Sequence, residues 1–295
     1  MLVHTDHREI ADTGAVFHRT VMRHQRFRVT VQTSRGMVTD FAVVDRISPF
    51  FQRARRAEAM VLLAGRGYFG DGGRPVSLAP GDFVISDQTR GEAEGYAGSP
   101  CEMLSLEWDP GELGPAVRGK PRWSRIGAAD LARLRAHVRQ ADHEPSEVWV
   151  VRLLEMLRAA GLPLVRIDDP RALRDDPDQL VRVHGALDGA LARLDLHPSL
   201  AEMAGALSLS ERQAHRNLAA LVRRYGITFG SSWRGLVSHA RLEWLTQVLS
   251  VPALPLARVA QLTGYRSTEA VCHALALRGA PSPTALARQL KQRWA

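Results

Sequence analysis

The sequence predicts an α+β protein with a small N-terminal β-barrel, a helical connector and an all-α C-terminal domain carrying two helix-turn-helix units. Three observations predict it. Residues 15–110 read as short alternating strands separated by turns. After Gly111 the apolar residues recur at helical spacing instead. In the last hundred residues one helix-turn-helix pattern occurs twice, around Ala204 and again around Ala260. The expected domains are 1–115 for the barrel, 116–178 for the connector and linker, and 179–295 for the helical domain.

The 295 residues suit about two domains, and 45% hydrophobic content is enough for packed cores. No apolar stretch approaches the roughly 20 residues of a membrane span. The opening Met1-Leu-Val-His-Thr-Asp-His has no apolar signal core, so a cytoplasmic protein is expected, with no membrane partner. Two cysteines, Cys101 and Cys272, cannot build a disulfide framework. The formal net charge is +8, and its position matters more than its size. Residues 178–295 hold 14 Lys/Arg against 7 Asp/Glu, while residues 1–177 are nearly balanced at 25 against 24. That asymmetry suits a DNA-binding module attached to a neutral one. Lys120 and Lys291 are the only lysines, so arginine supplies the charge.

The strand patterns are 26–32, 40–44, 59–64, 83–85 and 102–108. Ser34-Arg-Gly36, Gly70-Asp-Gly-Gly73, Ala79-Pro-Gly-Asp82 and Gly98-Ser-Pro100 separate them. Two helical patterns come next, at 130–138 and 148–157. They either cover the barrel or form a dimer interface, and a homodimer is expected. The polar, proline-punctuated stretch 167–178 reads as the interdomain linker.

From Gln179 onward the chain reads as helix. Ser199-Leu-Ala-Glu202 and Ser210-Glu-Arg-Gln213 are capping-box patterns that start helices near 200 and 211. Gly264 supplies a turn residue tolerant of positive φ, with Ser208 at the matching place. A long helix from Trp233 to Leu249 should join the units, with a buried stripe of Trp233, Leu236, Val237, Leu242, Leu245 and Leu249. Val251-Pro-Ala-Leu-Pro255 ends it. The first recognition helix presents Arg212, His215 and Arg216 on one face. The second presents Thr268, Cys272 and His273, with Glu269 beside them. Arg212, His215, Arg216, Thr268, Glu269 and His273 are the candidate base-reading residues. Arginine there can donate two hydrogen bonds to guanine. Arg223, Arg224, Arg234, Arg241 and Arg266 are candidates for phosphate contacts, which position without specifying. Buried ion pairing is the alternative for Arg241, which follows the apolar stripe closely.

These residues resemble the AraC/XylS family of transcription regulators. The resemblance rests on Ser210-x-Arg-x-x-x-Arg216-x-Leu, Arg241-Leu, Val259-Ala-x-Leu-x-Gly-Tyr-x-Ser267, Ala274-Leu and Ser282-Pro283. It implies seven helices and two recognition helices set in consecutive major grooves, ~34 Å apart. It also implies promoter or operator DNA as partner, with RNA polymerase as a further contact. The sequence departs from the family pattern at Leu218 and Leu275, which close the recognition helices in place of an aromatic. The segment containing Gly226 and Gly230 is longer, Gly279 and Ala280 precede Ser282-Pro283, and the second recognition helix lacks basic residues. These departures place most of the readout on the first unit.

The N-terminal half resembles the cupin-type sensor domain of the same family at Ala64-Gly-Arg-Gly67 and Val76-Ser-Leu-Ala-Pro-Gly-Asp-Phe83. That resemblance implies a small-molecule effector inside the barrel, lined from 42–47, 59–63, 83–85 and 103–108. No histidine lies between His24 and His137, so the ligand cluster of a catalytic cupin is missing. No catalytic residue, metal or cofactor is expected. His4, His7, His18 and His24 fall in a frayed terminus and first strand. Gly65-Arg-Gly67-Tyr-Phe-Gly70 matches a dinucleotide fingerprint as a string, but the following Asp71-Gly-Gly-Arg-Pro75 cannot open a helix and reads as a hairpin turn. Arg53, Arg55 and Arg56 suit either a solvated edge or an acidic ligand. The expected function is a ligand-responsive transcription regulator and not an enzyme. The alternative is a cupin-like ligand-binding protein or enzyme with a degenerate DNA-binding module.

Overall fold

A computed structural model describes residues 1–40, 43, 57–71, 74–86, 91–95, 98–117, 121–141, 146–173, 178–225 and 232–292. Arg53, Arg55, Arg56, Gly226, Gly230 and most of 42–47 lie outside the described residues. The expected α+β arrangement is present. Eleven strands are described: β1 (Leu2–Ile10), β2 (Ala15–Arg23), β3 (Phe27–Arg35), β4 (Met37–Asp40), β5 (Ala57–Ala64), β6 (Arg66–Asp71), β7 (Arg74–Leu78), β8 (Asp82–Ser86), β9 (Gly91–Gly95), β10 (Cys101–Trp108) and β11 (Arg122–Arg125). They form two sheets of antiparallel pairs, ordered β1-β2-β3-β10-β5-β8-β11 and β4-β9-β6-β7.

The period of two sorts the large sheet into two buried faces. Met60, Leu62, Val84, Cys101 and Met103 pack with Phe69 and Leu78 of the second sheet. Their alternates Ala59, Val61, Leu63, Phe83, Ile85, Leu104 and Leu106 face outward into another core. Only every second residue of the expected lining therefore points inward. Residues 66–70 of the Gly65–Gly70 string lie on β6, which pairs with β7 through Asp71↔Arg74. It is a hairpin, as the glycine-rich sequence after it required. The Pro80-Gly81-Asp82 turn carries the chain from β7 to β8. Gly81 has φ 93° and the Asp82 carboxylate accepts from the Ala79 amide at 2.7 Å.

The outward face is covered by α1 (Ala128–Val138) and α2 (Glu147–Ala159). Leu134, Val138, Trp149, Val150, Leu153, Leu154 and Leu157 bury against the sheet. Trp149 stacks on His137 at 4.8 Å and donates to its carbonyl at 3.0 Å. The pair thus covers the barrel through one face and leaves the other outside. The expected linker is not wholly free chain. Pro170–Leu173 forms a short 3-10 helix, Leu173 is fully buried, and the Met1 ammonium donates to its carbonyl at 3.1 Å.

Helices α3 (Asp178–Leu191), α4 (Leu200–Ala206), α5 (Glu211–Tyr225), α6 (Trp233–Ser250), α7 (Leu256–Leu262), α8 (Thr268–Ala276) and α9 (Pro283–Lys291) complete the chain. None of the described helices is long and apolar enough to cross a membrane. The predicted stripe on α6 is present, with Leu236, Val237, Leu242, Leu245 and Leu249 buried and Trp233 half-buried. The second half of α6 is buried all round, however: Trp244, Thr246, Gln247, Val248 and Ser250 are also inside. The reason is long-range. Ile10, Ala15, Phe17, Met37 and Val43 of the barrel half share one core with α6 and the second helix-turn-helix. Leu2 enters the core of the first.

Strand β1 is accordingly a full nine-residue strand and not a frayed terminus. Its histidines pack rather than fray: His7 sits opposite His18, and His24 stacks on Phe27. His4 and His184 both contact the Asp188 carboxylate, at 3.1 and 2.9 Å. Burial alone would raise the Asp188 carboxyl; bonds from His184 and His4 bring it below its usual range. Beside them Arg19 pairs with Glu243, and Arg8 binds Asp6 at 2.8 Å while lying 4.7 Å over the Trp244 ring. The Val38 amide donates to the Ser250 hydroxyl at 2.8 Å. Arg258 reaches Asp12 at 2.9 Å.

A buried charge without its partner is strongly destabilising. Arg19→Leu should lower unfolding free energy by about 3 kcal/mol, read by urea denaturation, and a loss under about 1 kcal/mol would refute the importance of the pair. Acid should act on the same place. Burial pushes His239 down to about 4 from its usual 6.5, with Glu243 opposing and Arg19 adding to the shift. The unfolded chain then takes up the proton first. Stability is full above about pH 6.5 and falls as pH drops toward 4. Glu243 is held down at about 2, because Arg19 and His239 outweigh its burial, so a further loss sets in below about pH 4.5. Melting temperature against pH should flatten between 6.5 and 4 in His239→Gln.

Candidate nucleic-acid interface

Each helix-turn-helix is built from local capping chemistry. In the first unit Ser199 and Glu202 form a reciprocal capping box at the start of α4, with bonds of 3.1 and 2.8 Å. Ser210 and Gln213 do the same for α5, at 3.3 and 3.0 Å. Both starts fall where the sequence placed them. Between them Ser208 takes φ 55°, and the Leu209 amide returns to the Ala204 carbonyl at 2.9 Å. Ala204 is buried where α4 meets α5, since a larger side chain would push the helices apart.

The second unit repeats this plan. The Tyr265 amide returns to the Ala260 carbonyl at 2.9 Å, and Ser267 caps α8 through the Ala270 amide at 3.2 Å. Gly264 takes φ 72°. A Cβ there would lie 2.1 Å from the Leu194 carbonyl oxygen, so glycine is required by backbone angle and by space. Ser208 has the angle without the crowding, which is why serine serves in the first unit.

One difference changes the alignment of the two faces. The cap of α5 lies six residues beyond Ala204, whereas the cap of α8 lies seven beyond Ala260. Arg266 is the extra turn residue. From the caps onward the units match at a spacing of 57, shown by the buried pairs Ala214 with Val271 and Leu218 with Leu275. Arg212 then corresponds to Glu269, His215 to Cys272 and Arg216 to His273. Thr268 is the first residue of α8 and corresponds to Glu211, not to Arg212.

Arg212, His215 and Arg216 are all exposed on one face of α5, and Arg223 continues that face two turns on. Glu269, Cys272 and His273 are exposed on α8, and Thr268 is half-buried with its hydroxyl on the Glu269 carboxylate at 3.1 Å. Arg234 and Arg266 are exposed, while Arg224 is half-buried. Arg241 lies 5.9 Å over the Tyr265 ring and contacts His197 Nδ1 at 3.2 Å. It braces the turn of the second unit. Sequence reasoning passed over Ala219, Ala220, Ala276 and Leu277; the period of α5 and α8 alone would have placed them on or beside the two faces.

The two units are joined by α6, whose ends each reach one of them. Trp233 donates to the Pro198 carbonyl at 3.3 Å, just before α4. Trp244 donates to the Leu262 carbonyl at 3.0 Å, at the end of α7. Two bonds from one helix thus fix the two heads against a shared axis.

Among the described residues no three His, Cys, Asp or Glu side chains are grouped so as to hold a metal ion. Cys101 is buried in the barrel and Cys272 is exposed on α8, neither in a disulfide.

No protein-family model matches the chain, and no curated protein matches it in sequence. Among solved structures it is similar to ToxT from Vibrio cholerae, at 10% identity and a TM-score of 0.36, over 90% of this chain and 98% of that one. It is also similar to the AraC-like transcriptional activator CuxR, at 12% identity and a TM-score of 0.28, over 75% and 80%. A third likeness is to the cupin domain of an XRE-family transcriptional regulator from Enterobacter cloacae, at 18% identity and a TM-score of 0.23, over 29% and 84%. All three likenesses are distant.

Proposed function

We propose that the chain is a sequence-specific DNA-binding regulator of transcription of the AraC/XylS type, responsive to a small molecule. The observation that supports this reading best is the pair of helix-turn-helix units on one rigid helix, each with its recognition face open to solvent. The excess of 14 basic over 7 acidic residues in 178–295 supplies the attraction to phosphate. Arg212 and Arg216 are one turn apart and reach guanine edges. Arg223, Arg224, Arg234 and Arg266 contact the backbone. Arg241 contributes by fixing the second turn.

The effector would bind between the two sheets. Its apolar wall of Met60, Leu62 and Met103 changes at one end to Thr30, Gln32, Glu58, Ser86 and Ser105, all buried. Gln32 Oε1 and Ser86 Oγ have no hydrogen-bond partner among the described residues. Unpaired buried polar atoms are costly, and a mixed polar and apolar ligand would satisfy them. The barrel shares a core with both heads, so an effector that favours one arrangement of β1 and β2 would shift the heads with it. Self-association would use the outward faces of α1 and α2.

The deciding experiment is selection of genomic fragments by the purified full chain at moderate salt, followed by sequencing. A bipartite motif with half-sites one helical turn apart is expected, and absence of enrichment would overturn the proposal. Arg212→Ala should cost about 1–3 kcal/mol on selected DNA and relax base preference at one position, whereas an equal loss on random DNA would refute base reading. Arg223→Ala should weaken all DNA alike and lower the salt slope by about 1, and a sequence-selective loss would overturn the phosphate role.

A further inference from the structure

The two recognition faces differ in chemistry once they are aligned from their caps. The first reads Arg212, His215, Arg216, Ala219, Ala220. The second reads Glu269, Cys272, His273, Ala276, Leu277. No cation of fixed charge stands on the second face. Leu277 is 65% exposed, among the largest apolar exposures of the described residues, and Cys272 and Ala276 are exposed beside it. Asp195, Glu269 and the exposed Arg266 all line a cleft of about 510 Å³ at this unit. Bonds from Ser267 and Thr268 hold the Glu269 carboxyl below its usual range.

Three exposed apolar groups on a recognition face have one partner in the major groove. The C5-methyl of thymine is the only apolar group a base pair presents there. A carboxylate at the start of the helix can accept only from a base amine, and cytosine N4 is the one it pairs with best. From this we infer that the second head reads a thymine-rich half-site through Leu277, Cys272 and Ala276, with a cytosine under Glu269, while the first head reads guanine. The operator is therefore asymmetric: a guanine half-site one helical turn from a thymine half-site. The inference rests on the DNA-binding reading proposed for this chain and adds the sequence class to it. Fixed cation content also divides the work. The first head supplies base-reading charge, and the second supplies shape and methyl contact with few counterions released.

The test uses the full chain and duplexes selected from a randomised pool. The expected motif carries guanine in one half and thymine in the other. Thymine is then replaced by uracil, which removes only the methyl group, one half-site at a time. Replacement in the thymine half should weaken binding about fourfold for each methyl in contact. The same replacement in the guanine half should change little. Leu277→Ala alters an exposed side chain and leaves the buried Val271 and Leu275 in place. It should shrink the thymine-to-uracil ratio in the second half-site and leave the first untouched. A second half-site without thymine, or affinity indifferent to uracil, would overturn the inference while leaving a DNA-binding protein. An unchanged thymine-to-uracil ratio in Leu277→Ala would overturn the role of Leu277. Absence of any selected sequence would overturn the DNA-binding reading itself, and this inference with it.

Discussion

Helix α6 lies between the barrel half and the second helix-turn-helix, and its second half is buried from both sides. One side packs into the second helix-turn-helix; the other receives Ile10, Ala15, Phe17 and Met37 from the barrel. A fully buried leucine or phenylalanine contributes on the order of 1.5–3 kcal/mol, so this seam outweighs any single polar contact in it. The polar contacts fix its register instead. Ser250 meets the Val38 amide, Arg19 meets Glu243, and Arg8 lies over the Trp244 ring. Sliding α6 by one turn would break all of these and strand charges away from water, which costs far more than the slide could recover.

Everything that positions the candidate interface hangs from that helix. Trp233 at one end and Trp244 toward the other each bond a backbone carbonyl of a different head. The barrel in turn holds α6. A change in the curvature of β1 and β2 would thus reach both heads through packed side chains without crossing a flexible joint. Interiors packed to this density respond by switching between arrangements and not by gradual deformation. The short 3-10 helix ending at Leu173, tied to the chain's own ammonium group, removes slack from the same connection.

Much of the interface was legible because its chemistry is local. Ser199 with Glu202 and Ser210 with Gln213 announce helix starts within four residues of chain. Gly264 announces a left-handed turn by itself. The buried positions Ala204, Leu218, Ala260 and Leu275 are set by a period of 3.6. The matching of the two faces was less legible. The extra turn residue Arg266 leaves composition and periodicity unchanged, and only the hydrogen bonds of Ser210 and Ser267 show where each helix begins. Arg241 read as a phosphate contact or a buried ion pair, and its partners Tyr265 and His197 were not legible because they lie 24 and 44 residues away in sequence.

The sequence by itself determined the fold class, the β hairpins, the helix caps and the placing of charge on the second half, because each depends on neighbours a few residues apart. Tertiary structure alone decided three things. It made β1 a strand, because pairing with β2 and cover from α3 and α6 compensate its polar, histidine-rich sequence. It buried the second half of α6 on every side, because a second body supplied the apolar partner for a face that looks solvated in isolation. It anchored a polar proline segment at Leu173, because that side chain found a core distant in sequence. In each case the stabilising contact lies far along the chain, where no pattern of local spacing records it.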